Sequence, residues 1–300
     1  MMILSKRVSA IFLIALILVS LFGCKKPSYT IIVPSGSPEF GIAYLKENSP
    51  YEVTTVSGPD PLVAAFNDIG YDVIIAPVNL GAKLFNAKPT YALIGVLTWG
   101  NYYLVSRNPI DLNSMDEIEI VAFGQNQIPD LMLKYILAEN EITPTISYLD
   151  GVSDIPAAYL LDDSKVYLIA EPSLSMLSLH VDLNILDIQT AFQDITGFDN
   201  YPQAGVFVHQ DMSDDMVSNL IADIKASITN IQNSSDAKDL LKRVNIPVDE
   251  SIYLEAFNRS NIEFKSSIDE KENIIVYFNL LHAFNPNLIG TLPSDDFYRG

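Results

Sequence analysis

The sequence has very little cysteine and few basic residues, and both shortages exclude classes of protein. Cys24 is the single cysteine among 300 residues, so the chain can form neither an internal disulfide nor a thiolate metal cluster. With 18 Lys and Arg against 37 Asp and Glu, its net charge is −19, which disfavours binding to nucleic acid or to anionic lipid headgroups. Hydrophobic residues make up 49% of the chain, enough for one large domain or two of moderate size.

Catalytic and metal-binding motifs are also missing. The three histidines lie far apart without HExxH spacing, and there is no G-x-S-x-G elbow. Asp60 and Glu171 could act as a general acid and base. However, a carboxylate before Pro61 is typical of a helix cap, and Glu171 beside Pro172 is typical of a loop. The sequence therefore predicts no catalytic residue, no cofactor and no metal site.

The start of the chain carries the pattern of an export signal. Lys6 and Arg7 precede an apolar run over residues 8–22, and Gly23 and Cys24 follow it. This order is typical of a signal peptide, and the apolar run is shorter than the roughly 20 residues of a membrane-spanning helix. We expect residues 1–23 to be a signal peptide and residues 24–28 to be a tether. Removing the signal peptide takes away two basic residues and no acidic ones, so the mature chain is still more acidic.

The segment 21–24, LFGC, resembles the bacterial lipobox, in which the cysteine becomes the lipidated first residue of the mature protein. This resemblance implies that Cys24 carries the lipid, palmitate included. It also implies an exported lipoprotein, attached to the membrane at the outer face of the cytoplasmic membrane, or facing the periplasm in a two-membrane envelope.

From residue 30 onward, strand and helix patterns alternate, which is typical of an α/β fold. Apolar runs at 30–33, 51–56 and 71–76 predict strands of a mostly parallel sheet, each followed by a loop and a helix start. The alternation restarts at 118–123 after a polar linker, and a mostly helical tail begins at residue 213. Open α/β sheets bind ligands at the carboxyl ends of their strands, so the loops at 35–39, 57–61 and 77–81 mark a binding site.

Five segments together resemble those of a known family. They are Gly58-Pro59-Asp60-Pro61, Ala76-Pro77-Val78-Asn79-Leu80-Gly81, Trp99-Gly100-Asn101, Ala170-Glu171-Pro172 and the C-terminal segment 292–298. The chain resembles the type II periplasmic solute-binding proteins of ABC importers, in the branch that binds nitrate, alkanesulfonates and thiamine precursors.

That resemblance implies two α/β lobes, each a mostly parallel sheet flanked by helices, with two crossover strands as a hinge. Lobe one would comprise residues 29–105 and 206–300, and lobe two residues 106–205. The crossover strands would lie near 103–106 and 204–208. The implied partners are a small-molecule ligand and the permease and ATPase subunits of the importer.

The loops of both lobes supply the candidate ligand-binding residues. They contain amides, flat rings and carboxylates but almost no Lys or Arg, which favours a neutral or cationic nitrogen heterocycle, such as a vitamin or its pyrimidine precursor. An inorganic anion or a sulfonate would commonly need a cationic partner. The candidates are Ser35, Ser37, Phe40, Gly58, Asp60, Asn79, Trp99, Asn101, Gln125, Asn126, Glu171 and Tyr201.

Three other functions fit parts of the same pattern. A sensory or partner-binding lipoprotein could use this fold without transport, and composition does not separate it from an importer subunit. An anion binder of the nitrate or sulfonate type could rely on helix N-termini. A pyrimidine-forming enzyme branch of the family has a similar fold but carries a cysteine cluster, which this chain lacks.

Overall fold

The structure is a computed structural model that describes residues 29–47, 50–68, 70–112 and 118–300. The predicted signal peptide, Cys24 and the tether lie outside the described residues. Within the described ranges, no helix combines the length and the apolar character needed to cross a membrane.

A six-stranded sheet forms the first lobe. Its strands are β1 (Tyr29–Pro34), β2 (Tyr51–Val56), β3 (Val73–Pro77), β4 (Tyr91–Trp99), β10 (Pro202–His209) and β11 (Ile262–Ser266), in the spatial order β11-β4-β10-β3-β1-β2. β1 pairs in parallel with β2 and β3, whereas β10 is antiparallel to β3 and β4. β11 is a strand that the sequence analysis missed within the mostly helical tail, a short strand with alternating burial that pairs with β4.

A five-stranded sheet forms the second lobe. Its strands are β5 (Tyr102–Ser106), β6 (Glu119–Phe123), β7 (Thr145–Leu149), β8 (Val166–Ala170) and β9 (Asn184–Asp187), in the order β7-β6-β8-β5-β9. β6 is parallel to β7 and β8, and β5 is antiparallel to β8 and β9. The predicted α/β class with two sheets is confirmed, but the expectation of mostly parallel sheets is corrected. The first sheet has two parallel and three antiparallel pairings, and the second has two of each, because the strands next to the two connections run against their neighbours.

Helices cover both faces of the first sheet. They are α1 (Ser37–Gly41), α2 (Ala43–Glu47), α3 (Asp60–Asp68), α4 (Val78–Ala87), α9 (Asp214–Asn233), α10 (Ala237–Arg243), α11 (Tyr253–Arg259) and α12 (Lys271–Phe284). Ile31 and Ile32 point to opposite faces of β1. Ile31 packs in one core cluster with α1, α2, α9, α10 and α11, and Ile32 in another with α3, α4 and α12. The helices after residue 213 therefore wrap the first sheet, as the sequence predicts.

The helices of the second lobe are α5 (Ile128–Glu139), α6 (Ile155–Leu161), α7 (Ser173–Ser178) and α8 (Ile188–Thr196). Buried side chains of all four belong to the same core cluster as Ile32, so this cluster runs from one lobe into the other.

The chain passes between the two sheets at Gly100-Asn101 and at 197–201. The predicted crossover strands are corrected, because β5 lies wholly in the second sheet and β10 wholly in the first. The lobe limits themselves stay a prediction.

The two connections touch closely at Gly100. Its N–H lies 3.0 Å from the Tyr201 carbonyl oxygen and 3.0 Å from Asn200 Oδ1. A Cβ atom at Gly100 would lie 2.2 Å from Cζ of Tyr201, so a glycine is required for this approach.

Candidate functional site

A cleft of about 730 Å³ lies between the two lobes. Residues within four positions after β1, β3, β6 and β8 line it, so it lies at the carboxyl ends of parallel strands of both sheets. Its volume falls within the range of small-molecule sites. The polar side chains along it belong to Ser35, Ser37, Asn79, Thr98, Asn101, Tyr102, Gln127, Ser153, Glu171, Ser173, Gln203 and Tyr277.

The starts of several helices surround the cleft and give it partial positive charge without cations. Ser37 begins α1, Asn79 lies in the first turn of α4, Ile128 begins α5 and Ser173 begins α7. The first turn of a helix has N–H groups with no partner in the helix. Among the described residues that line the cleft, none is Lys, Arg or His, and Glu171 is the one carboxylate.

A hydrogen-bonded chain of neutral side chains runs along the first lobe. Gln203 Nε2 donates to Asn101 Oδ1 at 3.0 Å, and Asn101 Nδ2 donates to Ser37 Oγ at 2.9 Å. Ser37 Oγ in turn donates to Ser260 Oγ at 3.0 Å. Ser37 and Asn101 are 3% and 4% exposed, so these groups are held in place before any ligand arrives.

Asn79 is also held by the protein. It lies in the first turn of α4, which begins one residue earlier, at Val78. Asn79 Nδ2 donates to the carbonyl oxygen of Leu288 at 2.9 Å.

Glu171 places a titratable carboxyl group in the cleft at the end of β8. Its Oε1 accepts a hydrogen bond from Ser175 Oγ at 2.9 Å, and its Oε2 accepts one from Ser175 N at 3.2 Å. Burial raises the pKa of Glu171 to about 7, although the Ser175 hydrogen bonds and the charge of Arg259 oppose that rise. The cleft therefore gains or loses one negative charge near neutral pH.

No group of three His, Cys, Asp or Glu side chains in the described ranges is arranged to hold a metal ion.

Similarity to solved structures identifies the architecture. A structure described as an ABC transporter from Parabacteroides distasonis has a TM-score of 0.82 at 21% identity, covering 92% of this chain and 99% of that one. The periplasmic aliphatic sulphonate binding protein of Escherichia coli has a TM-score of 0.72 at 13% identity, covering 92% and 93%. The chain has the type II periplasmic-binding-protein fold.

A third structure agrees with this fold. The ligand-binding component of an ABC-type import system from Staphylococcus aureus, solved with zinc bound, has a TM-score of 0.68 at 15% identity, covering 91% of this chain and 97% of that one. No protein-family model and no curated protein matches the sequence.

The periplasmic-binding-protein cleft brings together five of the twelve candidate residues, Ser35, Ser37, Asn79, Asn101 and Glu171. Four others lie beside the lining rather than in it. Gly58 and Asp60 flank the lining residue Pro59, and Gln125 and Asn126 precede the lining residue Gln127.

Phe40 and Trp99 lie away from the cleft, which corrects the expectation that they bind the ligand. Phe40 packs edge-to-face on Phe257, with ring centroids 5.1 Å apart, in the core of the first lobe. Trp99 lines a different cavity, of about 520 Å³. Its Nε1 donates to the Glu263 carbonyl oxygen at 2.9 Å, and Lys265 Nζ lies 4.9 Å from its ring centroid.

Tyr201 is fully buried at the second connection, so its expected role in ligand binding is also corrected. Its ring stacks between those of Tyr102 and Tyr277, at centroid distances of 6.2 and 6.0 Å. Its hydroxyl donates to Gln189 Oε1 at 3.0 Å. The outer two rings of this stack, Tyr102 and Tyr277, are the ones that line the cleft.

The sequence interpretation missed several polar lining residues. Gln127 and Ser173 follow strands β6 and β8 closely, so the carboxyl-edge rule could have found them. Thr98 and Gln203 come from neighbouring antiparallel strands, and only the pairing of β4 with β10 brings them together.

Proposed function

We propose that this chain is the extracytoplasmic substrate-binding subunit of an ABC importer, which captures a small organic solute and carries out no chemistry. The observation that carries the proposal is the interlobe cleft, which is sized for a small molecule. Rotation about the two short connections would enclose a ligand there. The similar structures from three bacteria, described as transport or binding proteins, support this role.

We infer that the ligand is a neutral or cationic nitrogen heterocycle. An anion would find no Lys, Arg or His among the described lining residues and would lie near Glu171. A buried anion without a cationic partner is costly, whereas a ring N–H or a cationic group suits a carboxylate. Tyr102 and Tyr277 line the cleft but are 7% and 1% exposed, so the inference rests mainly on charge.

Two measurements on the mature protein test this function. Native mass spectrometry would show a co-purified small molecule. Titration calorimetry would then compare thiamine, riboflavin, cytidine, nitrate and taurine, and we expect a heterocycle to bind most tightly. Tight binding of nitrate or taurine would instead favour the anion-binding alternative, which the helix N-termini could serve. Turnover of the bound compound would contradict a pure binder.

We also propose that a lipid on Cys24 anchors the mature protein, on the basis of the LFGC segment. Cys24→Ser should release the protein from the membrane fraction or leave the precursor uncleaved, as judged by fractionation and by mass spectrometry of the N-terminus. An unmodified wild-type N-terminus together with unchanged membrane association would contradict the anchor.

A further inference from the structure

One polar side chain of the cleft is buried and has no partner. Thr98 is 0% exposed, and its Oγ1 makes no hydrogen bond within the protein. Other lining groups differ from it. Asn101 and Ser37 are buried but bonded to each other, and Gln127 and Ser153 are exposed to solvent.

A buried hydroxyl without a partner lowers the stability of a fold, and valine would fill the same space without that cost. Most buried polar groups in proteins are hydrogen-bonded, so an exception requires an explanation. Thr98 lines the cleft, so a molecule bound there would supply a partner that the protein does not.

Thr98 lines the cleft next to the connection between the two lobes. It is the penultimate residue of β4 and pairs with Ala204 of β10, which also lines the cleft. The next residue, Trp99, lines the separate cavity. The connection to the second lobe begins directly afterwards, at Gly100.

We propose that Thr98 is a ligand-contacting residue that determines specificity, and that its hydroxyl makes an uncharged hydrogen bond to the bound molecule. This inference rests on the proposed function of the cleft as a ligand site. The ligand group is a ring nitrogen, a carbonyl oxygen or an amine at the buried end of a heterocycle. A compound without such a group would leave the hydroxyl unpaired, so the cleft would select against it.

The test compares Thr98→Val, which removes the hydroxyl at nearly constant volume, with Thr98→Ser, which keeps it. Thr54→Val, at an exposed position of β2, is the matched control. Calorimetry with thiamine, riboflavin and cytidine measures binding, and thermal unfolding without added compound measures stability.

We expect Thr98→Val to weaken binding of the heterocycle that the wild type binds by about tenfold to a hundredfold. Thr98→Ser should bind within about threefold of the wild type, and Thr54→Val should bind equally well. In the absence of ligand, Thr98→Val should unfold about 2 to 4 °C above the wild type, because an unpaired buried hydroxyl is gone.

Unchanged binding by Thr98→Val would overturn the inference. So would a lower unfolding temperature, because it would mean that the hydroxyl already has a partner inside the protein. If none of the three compounds binds the wild type, the proposed ligand class fails, and the unfolding temperatures still decide the state of the Thr98 hydroxyl. An unfolding temperature of Thr98→Val below that of the wild type rejects the inference, and one above it supports the inference.

Discussion

The two walls of the cleft hold their polar groups in different ways. The lobe-one wall carries the side chains of Ser35, Ser37, Asn79, Thr98, Asn101 and Gln203, and the lobe-two wall those of Tyr102, Gln127, Ser153, Glu171 and Ser173. On the lobe-one wall, the amides of Asn79, Asn101 and Gln203 are bonded to other protein groups. On the lobe-two wall, Gln127 and Ser153 are exposed to solvent.

The two walls therefore contribute differently to the stability of the fold and to ligand binding. The bonded amides of the lobe-one wall contribute to the stability of the fold and need little rearrangement when a ligand binds, so they lower the entropic cost of binding. Exposed groups of the lobe-two wall bond to water in the open cleft and would exchange it for ligand on closure. Tyr102 and Glu171 differ from these exposed groups of the same wall, because they are 7% and 6% exposed, and Glu171 is also bonded to Ser175.

The largest expected effect on the free energy of unfolding comes from Glu171→Gln, which removes the titratable carboxyl group. The pKa of Glu171 is raised from its ordinary value of 4.5 to about 7, so the folded state holds a proton that the unfolded state releases. The carboxyl group therefore contributes stability below about pH 4.5, and that contribution is lost as the pH rises to about 7. Glutamine has no such loss. The free energy of unfolding of the variant, minus that of the wild type, should therefore rise by about 3 kcal/mol between pH 4.5 and pH 8.

The measurement for Glu171→Gln is urea unfolding of both proteins across this pH range. The titration of all other groups contributes equally to both proteins, so it cancels when their free energies of unfolding are subtracted. A difference that does not depend on pH would contradict the raised pKa of Glu171.

A smaller effect on the free energy of unfolding is expected from Asn101→Ala, which removes the middle residue of the hydrogen-bonded chain from Gln203 to Ser37. The change leaves Gln203 Nε2 without its acceptor and Ser37 Oγ without its donor. Both side chains lie in or beside a buried network, so the free energy of unfolding should fall by about 2 kcal/mol. Denaturant unfolding at pH 7 measures it. A loss below about 0.5 kcal/mol, the range of ordinary surface substitutions, would show that the wall is not held by this network.

The sequence predicts the lobes well because their strands carry local signals. The residues of β3 are buried except for Pro77, all those of β4 and β8 are buried, and such strands appear as unbroken apolar runs. The end of each apolar run also marks where the next loop begins. For that reason Ser35, Asn79 and Glu171 are found together in the cleft, as the carboxyl-edge rule requires.

The remaining features depend on contacts between distant parts of the chain. β11 is short and lies among helices, and its pairing with β4 decides its conformation. The register of β4 against β10 shifts at three places, so the faces that Trp99 and Thr98 occupy cannot be counted from a regular alternation. The amide of Asn101 could be predicted at the site, but its bond to Ser37, 64 residues away in sequence, could not.

The smallest effect on stability is expected from Gln127→Ala, which removes an exposed amide from the lobe-two wall. Gln127 precedes α5, and its backbone N–H donates to the carbonyl oxygen of Gly124 at 2.8 Å, a bond that alanine keeps. The free energy of unfolding should therefore change by less than about 0.5 kcal/mol. Binding should weaken severalfold, because the amide would no longer meet the ligand when the cleft closes. Denaturant unfolding and calorimetry with the best-bound heterocycle, compared with Asn101→Ala, measure both effects. A loss of stability as large as that of Asn101→Ala would contradict the claim that the lobe-two wall contributes little to the stability of the fold. Binding as tight as that of the wild type would contradict its role in ligand binding.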